Sequence, residues 1–230
     1  MQQQFACVIF DIDGTLARTS ELIFASFNHV ISRHLGRTMS PREITGLFGP
    51  PEEGGLAKLF GIERAGPLMD ELCEFYEAHH GSLASLHPGM DRVLAMIQQR
   101  HVPLAIFTGK GRRTTAITLK ALGLHTAFDC IVTGDDVVHH KPHPEGLLKV
   151  LRQLGVSPEE ALMVGDSPVD VAASRAASVQ VASVLWDSMD PETVVASNGA
   201  CVFHSAEELE RWLQQRIPEQ RSADRAMARE

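Results

Sequence analysis

Six short apolar runs recur along the 230-residue chain: "FACVIF" (5–10), "VPLAIF" (102–107), "FDCIV" (128–132), "ALMVG" (161–165), "VQVASVL" (179–185) and "ACVF" (200–203). Runs this short and this uniformly apolar suit strands covered on both faces. Helix-length patterns separate most of them, at 90–100, 111–122, 144–154, 168–177 and 205–215. Strands that alternate with helices are joined by right-handed crossovers into a parallel sheet. The expected fold class is therefore α/β, a doubly wound, Rossmann-like parallel sheet. Ligands of such sheets bind at the carboxyl ends of the strands.

From about Thr19 to Leu86 the alternation stops. Helical patterns such as "ELIFASFNHVISRHL" and "PLMDELCEFYEAHHGSL" take over, separated by the Gly/Pro-rich "GLFGPPEEGGL", and "LHPGMDRV" marks the return to the sheet. The reading is a core domain of residues 1–18 and 87–216, a helical insertion of four-helix size over 19–86, and a disordered tail over 217–230. An insertion placed after a ligand-bearing strand commonly covers the site, so a lid is expected. Within it, "GPPEEGG" (49–55) is expected to form a shaped loop, with Glu52 and Glu53 either facing a substrate's hydroxyl or amine or capping the helix that follows.

A formal net charge of −8 argues against a nucleic-acid partner, which would call for clustered Lys and Arg. No stretch approaches the roughly 20 apolar residues of a membrane span, and the start of the chain lacks a basic, signal-like segment. The four cysteines, Cys7, Cys73, Cys130 and Cys201, show no C-x-x-C spacing, and three lie in strand-like runs where buried thiols are expected. A reducing, cytoplasmic setting is the expectation.

The first apolar run ends in Asp11-Ile12-Asp13-Gly14-Thr15. Two acids two residues apart project to one side of a strand end and crowd like charges together. A fold tolerates that when a cation neutralises the pair, or when one acid holds a proton. A surface turn is the plainer alternative, since Asp and Gly are common turn formers. Further residues collect at other strand ends. The second run leads into Thr108-Gly109-Lys110-Gly111, where a hydroxyl and backbone amides ahead of a helix suit an anion. It is no P-loop, because position 104 is Leu, and no G-x-G-x-x-G, because position 114 is Thr. By itself Thr108 would read as a helix N-cap. Lys141 precedes a helix start, an unfavourable place for a cation unless an anion is shared. His139, His140 and His143 beside it invite a zinc reading, but no cysteine is near and the spacing matches no common zinc motif. Finally "ALMVG" runs into Asp166, with Asp170 about one helical turn further on. Several carboxylates with a Thr and a Lys suit Mg²⁺ and a phosphate.

Four of these motifs, "DIDGTL", the Thr closing the second strand, Lys-Pro-x-Pro and "GDSPVD", stand in the order seen in the haloacid dehalogenase superfamily, which the chain resembles from about Phe5 to Leu213. The insertion looks like that superfamily's first-type cap, and the architecture is most similar to its phosphoglycolate phosphatase-like group. The resemblance implies a phosphatase for a small phosphorylated metabolite. Asp11 would be the nucleophile that forms an aspartyl-phosphate, and Asp13 the general acid/base. Thr108, Gly109 and Lys141 would hold the phosphoryl group. Mg²⁺ would be bound by Asp11, the carbonyl of Asp13, and Asp166, with Asp170 in support. The implied partner is a small phosphate ester, taken by a monomer or a homodimer. Three positions depart from the common pattern: Gly109 stands where many members carry Asn, and Ser174 and Ser178 stand where many carry glycine.

Asp13 argues against carbon–halogen chemistry, which has no leaving oxygen to protonate. A phosphomutase shares all four motifs, and pyrophosphatases share the cap type, so both remain alternatives. A phosphonate-cleaving enzyme would need a Schiff-base lysine in the insertion, where Lys58 is the single candidate. A phosphorylated receiver domain would carry its acceptor on a middle strand of a domain of roughly half this length.

Overall fold

The computed structural model describes residues 4–198 and 201–218. In chain order the elements are β1 (Cys7–Phe10), β2 (Ala17–Arg18), α1 (Ser20–Leu35), α2 (Pro41–Thr45), α3 (Glu52–Phe60), α4 (Ile62–Leu83), β3 (Ser85–Leu86), α5 (Met90–Gln99), β4 (Leu104–Phe107), α6 (Arg112–Ala121), β5 (Cys130–Val132), α7 (Glu145–Leu154), β6 (Ala161–Gly165), α8 (Pro168–Ala176), β7 (Gln180–Val184), α9 (Pro191–Asn198), β8 (Val202–Phe203) and α10 (Ala206–Gln214). Six strands form one sheet in the order β5-β4-β1-β6-β7-β8, and every pairing in it is parallel.

All four residues of β1 are buried. Val8 and Phe10 join the apolar layer under α5 and α10, with Met90, Ile97, Leu209 and Leu213. Cys7 and Ile9 join the opposite layer under α7 and α8, with Leu147, Val150 and Val171. The period-two alternation thus feeds two cores at once, which is why these runs carry no polar residues. Gly146 in α7 lies against the Phe107 ring, and a Cβ there would run into it. After β1 the chain winds outward through β4 and β5, then returns to place β6 on the other side of β1. The change of direction falls at β1, so the loop after Phe10 opens into the crevice such sheets use for ligands.

Helices α1 to α4 form a third core of their own, with Leu22, Phe27, Ile44, Leu56, Leu72 and Tyr76 buried. Both chain crossings between these helices and the sheet run through a short antiparallel ribbon, with Ala17 opposite Leu86 and Arg18 opposite Ser85. This ribbon and α9 have no counterpart in the sequence reading, because two-residue strands and an eight-residue helix give too little periodicity to detect. The "GPPEEGG" segment is also not wholly a loop: α3 already begins at Glu52, directly after Pro51. Cys201 is half-buried where a buried thiol was expected, and none of the four cysteines is paired. Of the residues expected to be a disordered tail, Ile217 is instead buried in the core, while 219–230 lie outside the described residues. Among the described residues no helix is long and apolar enough to cross a membrane.

Candidate active site

The Asp11–Thr15 turn is shaped by the acids it must accommodate. Gly14 has φ +78°, and a Cβ there would run into the Asp166 carboxylate. Only glycine meets both demands. The Thr15 hydroxyl then donates to Asp166 Oδ1 at 3.0 Å, tying the end of β1 to the end of β6. Asp11 Oδ1 accepts from the Ile12 backbone N–H at 2.7 Å, and its Oδ2 lies 3.0 Å from Lys141 Nζ.

Lys141, joined to Pro142 by a cis peptide bond, reaches the centre of the crevice from the loop before α7. Its ammonium donates to Asp170 Oδ1 at 2.7 Å and to the Phe107 carbonyl at 2.8 Å. Burial alone would lower its pKa, but Asp11 and Asp170 outweigh that and raise it. Asp170 is held in turn by a capping box: Ser167 N–H and Oγ donate to its Oδ2 at 3.1 and 2.6 Å. The spacing of "GDSPVD" is therefore that of a helix start, with Ser167 as N-cap and Asp170 three residues on.

Ligand oxygens of Asp11, Asp166 and Asp170 all lie within 4.8 Å of one another. Burial, with the neighbouring charges of Asp170 and Asp13, lifts Asp11 to about 6 against the opposing pull of Lys141. Burial, then Asp170 and Asp11, raise Asp166 as well. Three carboxylates against one ammonium leave negative charge in a nearly dry site, and hard oxygen donors in this number fit a divalent cation of the Mg²⁺ type. Asp13 is not in that cluster. Its carboxylate turns the other way, accepting from the Thr19 hydroxyl at 2.6 Å and pairing with Lys110 Nζ at 3.3 Å.

Thr108 is buried, and its hydroxyl accepts the Lys110 N–H at 3.2 Å, while the N-cap of α6 is Gly111. Gly109 has no atom within 4 Å of a would-be Cβ, so packing does not demand glycine there. Ser178 takes φ 59°, the left-handed conformation that glycine adopts freely, and Ser174 is fully buried in α8. A glycine at position 178 would take that conformation without strain.

Two residues at the centre of the site make contacts that the sequence did not announce. Lys110 has a fully buried side chain, with its ammonium between Asp13 and Glu52 (3.5 Å) and 4.7 Å from the centroid of the Tyr76 ring. Burial opposes its charge, but Asp13, Tyr76 and Glu52 hold its pKa above the ordinary lysine value. Glu52 belongs to α3, yet its Oε2 accepts the Gly111 N–H at 2.8 Å and its Oε1 the Thr114 hydroxyl at 2.6 Å. Of the two roles expected for it, it does not cap its own helix; its carboxylate fastens the helical insertion to the start of α6. Lys110 was hidden by the failed phosphate-loop pattern around it, and Glu52 by the absence of any pattern for a contact 59 residues apart.

His139 and His143 do meet Glu145, on the outer surface at the start of α7. The Glu145 carboxylate is engaged there by the Val138 and His139 N–H groups, which hold its pKa near 2 and fasten the loop that carries Lys141.

The chain matches the haloacid dehalogenase-like hydrolase family over residues 8–184, which spans β1 through β7. The protein belongs to this family. Among its relatives, the pyrophosphatase PpaX of Anoxybacillus flavithermus is 34% identical over 179 residues, covering 78% of this chain and 83% of that one. The PpaX of Bacillus pumilus is 36% identical over 193 residues, covering 81% and 86%. Of solved structures, a hydrolase from Pseudomonas syringae matches in fold, with TM-score 0.77 at 25% identity over 93% of this chain and 99% of that one. CbbY of Rhodobacter sphaeroides, solved with phosphate, shares the fold at TM-score 0.76 and 23% identity, over 90% and 96%.

Proposed function

We propose that this haloacid dehalogenase-like hydrolase is a Mg²⁺-dependent phosphatase acting on a small phosphate monoester through an aspartyl-phosphate. The observation that carries the reading is the division of labour between the two acids of one turn. Asp11 faces Lys141 and the carboxylate cluster, while Asp13 faces Lys110 and the helical insertion. In the first half-reaction an Asp11 oxygen attacks phosphorus, the bond to the ester oxygen breaks, and Asp13 delivers a proton to that oxygen. In the second, Asp13 takes a proton from water, the water oxygen attacks the same phosphorus, and inorganic phosphate leaves with Asp11 restored. Lys141, the Thr108 hydroxyl and the Gly109 N–H hold the phosphoryl oxygens, and Lys141 keeps Asp11 aimed. Asp11 and Asp166, with Asp170 behind them, would hold Mg²⁺, which when bound screens the carboxylates from the phosphate's charge. We read residues 19–86 as a cap that closes over this centre, and Glu52 as its fastening to the core.

The relatives' name favours a second reading, hydrolysis of pyrophosphate by the same steps. A phosphomutase would return the phosphoryl group to a second hydroxyl of its substrate. The deciding assay is release of inorganic phosphate from a panel of monoesters, pyrophosphate and sugar phosphates with Mg²⁺. Turnover of monoesters that vanishes in Asp11→Asn supports the proposal. Turnover of pyrophosphate alone supports the second reading, and unchanged turnover in Asp11→Asn overturns the nucleophile.

A further inference from the structure

We propose that the group released from the phosphate is apolar, a hydrocarbon ring or chain, and that the outer half of the cleft is its binding site. This rests on the phosphatase reading and refines it. The cleft encloses about 470 Å³. Its inner end is the carboxylate cluster with Thr108 and Lys141. Its outer end is walled by Ile23, Phe27, Leu47 and Phe48 from the helical insertion and by Val169 and Met189 from the sheet side. Phe48, Val169 and Met189 remain 43%, 41% and 54% exposed. Open apolar side chains converging on a cleft beside a polar centre are the mark of a ligand surface.

Most of the polar groups around this outer half are already committed, which leaves the Ser20 hydroxyl. Glu52 is taken by Gly111, Thr114 and Lys110. Ser188 Oγ donates to the Asp166 carbonyl, Asp187 pairs with Arg18 and His87, and Asp190 accepts from the Thr193 N–H. A sugar would find few donors or acceptors to replace its water, and a site that leaves hydroxyls unpaired disfavours them. Pyrophosphate fares worse. Its leaving group is itself an anion, yet no Lys or Arg of residues 19–86 lines the cleft among the described residues, and Asp190 adds like charge to its lining. The cations at hand, Lys110 and Lys141, are each bracketed by two carboxylates. A hydrocarbon needs none of these groups and covers the three exposed side chains.

The test uses straight-chain alkylphosphonates, methyl to hexyl, titrated calorimetrically into the whole protein with Mg²⁺. Their carbon–phosphorus bond does not enter the proposed reaction, so affinity reads the cleft whether or not the enzyme turns over. Each added methylene is expected to tighten binding by about fourfold until the cleft is filled. Met189→Ser, a change at an exposed position, is expected to flatten that slope without altering the melting temperature. An affinity independent of chain length, or tighter binding of the pyrophosphate analogue imidodiphosphate than of hexylphosphonate, overturns the proposal. Turnover of 4-nitrophenyl phosphate is followed in parallel. Its absence together with an intact chain-length slope would remove the phosphatase reading and leave the apolar site standing.

Discussion

At the scale of single residues, the two acids of the first turn differ in what surrounds them, and so should their variants. Asp11→Asn keeps the shape and the Ile12 contact but cannot form an acyl-phosphate, so phosphate release is expected to fall to background with an unchanged circular dichroism spectrum. Asp13→Asn should slow alkyl phosphates more than aryl phosphates, because a good leaving group needs less protonation; equal losses would remove Asp13 from the acid role. Glu52→Gln tests a contact that no motif announces. A glutamine offers one acceptor where the glutamate supplies two, and it leaves Lys110 with a single carboxylate partner. The expected result is a loss of about 1.5–3 kcal/mol in stability by denaturant titration, with kcat/KM falling for all substrates together. Asp11, Thr108 and Asp166 were legible because each follows directly on an apolar run, and Lys141 because a cation stands just ahead of a helix start. Lys110 and Glu52 were not, since a buried ammonium between two carboxylates is a product of tertiary packing and leaves no periodic trace. Thr15 escaped notice for a related reason: its bond to Asp166 spans 151 residues.

Elements were more legible than contacts. Five of the six strand readings needed only trimming by one or two residues at an end, and β6 matches its run residue for residue, because strands buried on both faces are written as unbroken apolar runs. The start of α3 was missed where Pro51 and two nearby glycines argued for a loop, although proline is well suited to a helix's first turn and its approach. Packing between elements yields a further prediction. Gly146→Ala would improve the intrinsic helix propensity of α7, yet its Cβ would press on the Phe107 ring, at the end of β4 and below Lys141. Overpacking of this kind costs about 1–3 kcal/mol, so the variant is expected to melt lower than the parent, and a higher melting temperature would show that α7 can move away from the sheet.

Over the whole molecule, the carboxylate cluster couples metal, protons and stability. Burial raises Asp11 to about 6 and raises Asp166 too, so the folded protein holds protons there that the unfolded chain has already released. For an acid raised in this way, metal-free stability declines as pH climbs from the ordinary carboxylate value through the raised one. A divalent cation reverses the penalty, but only by displacing those protons. Mg²⁺ is therefore expected to lift Tm more at about pH 8 than at about pH 5, with a chelator abolishing the difference; an equal lift at both would place the cation elsewhere. The ribbon of β2 and β3 has a consequence of a different kind. Arg18 and Ser85 face one another across it, so the chain comes back from the helices within about 5 Å of where it set out for them. Everything between them is a detour that begins and ends at one spot. Such a loop of structure can be lengthened or rebuilt while the strands beneath keep their register, so on the proposed reading of residues 19–86 as a cap, substrate choice would be open to rewriting there with the acids of the first turn left in place.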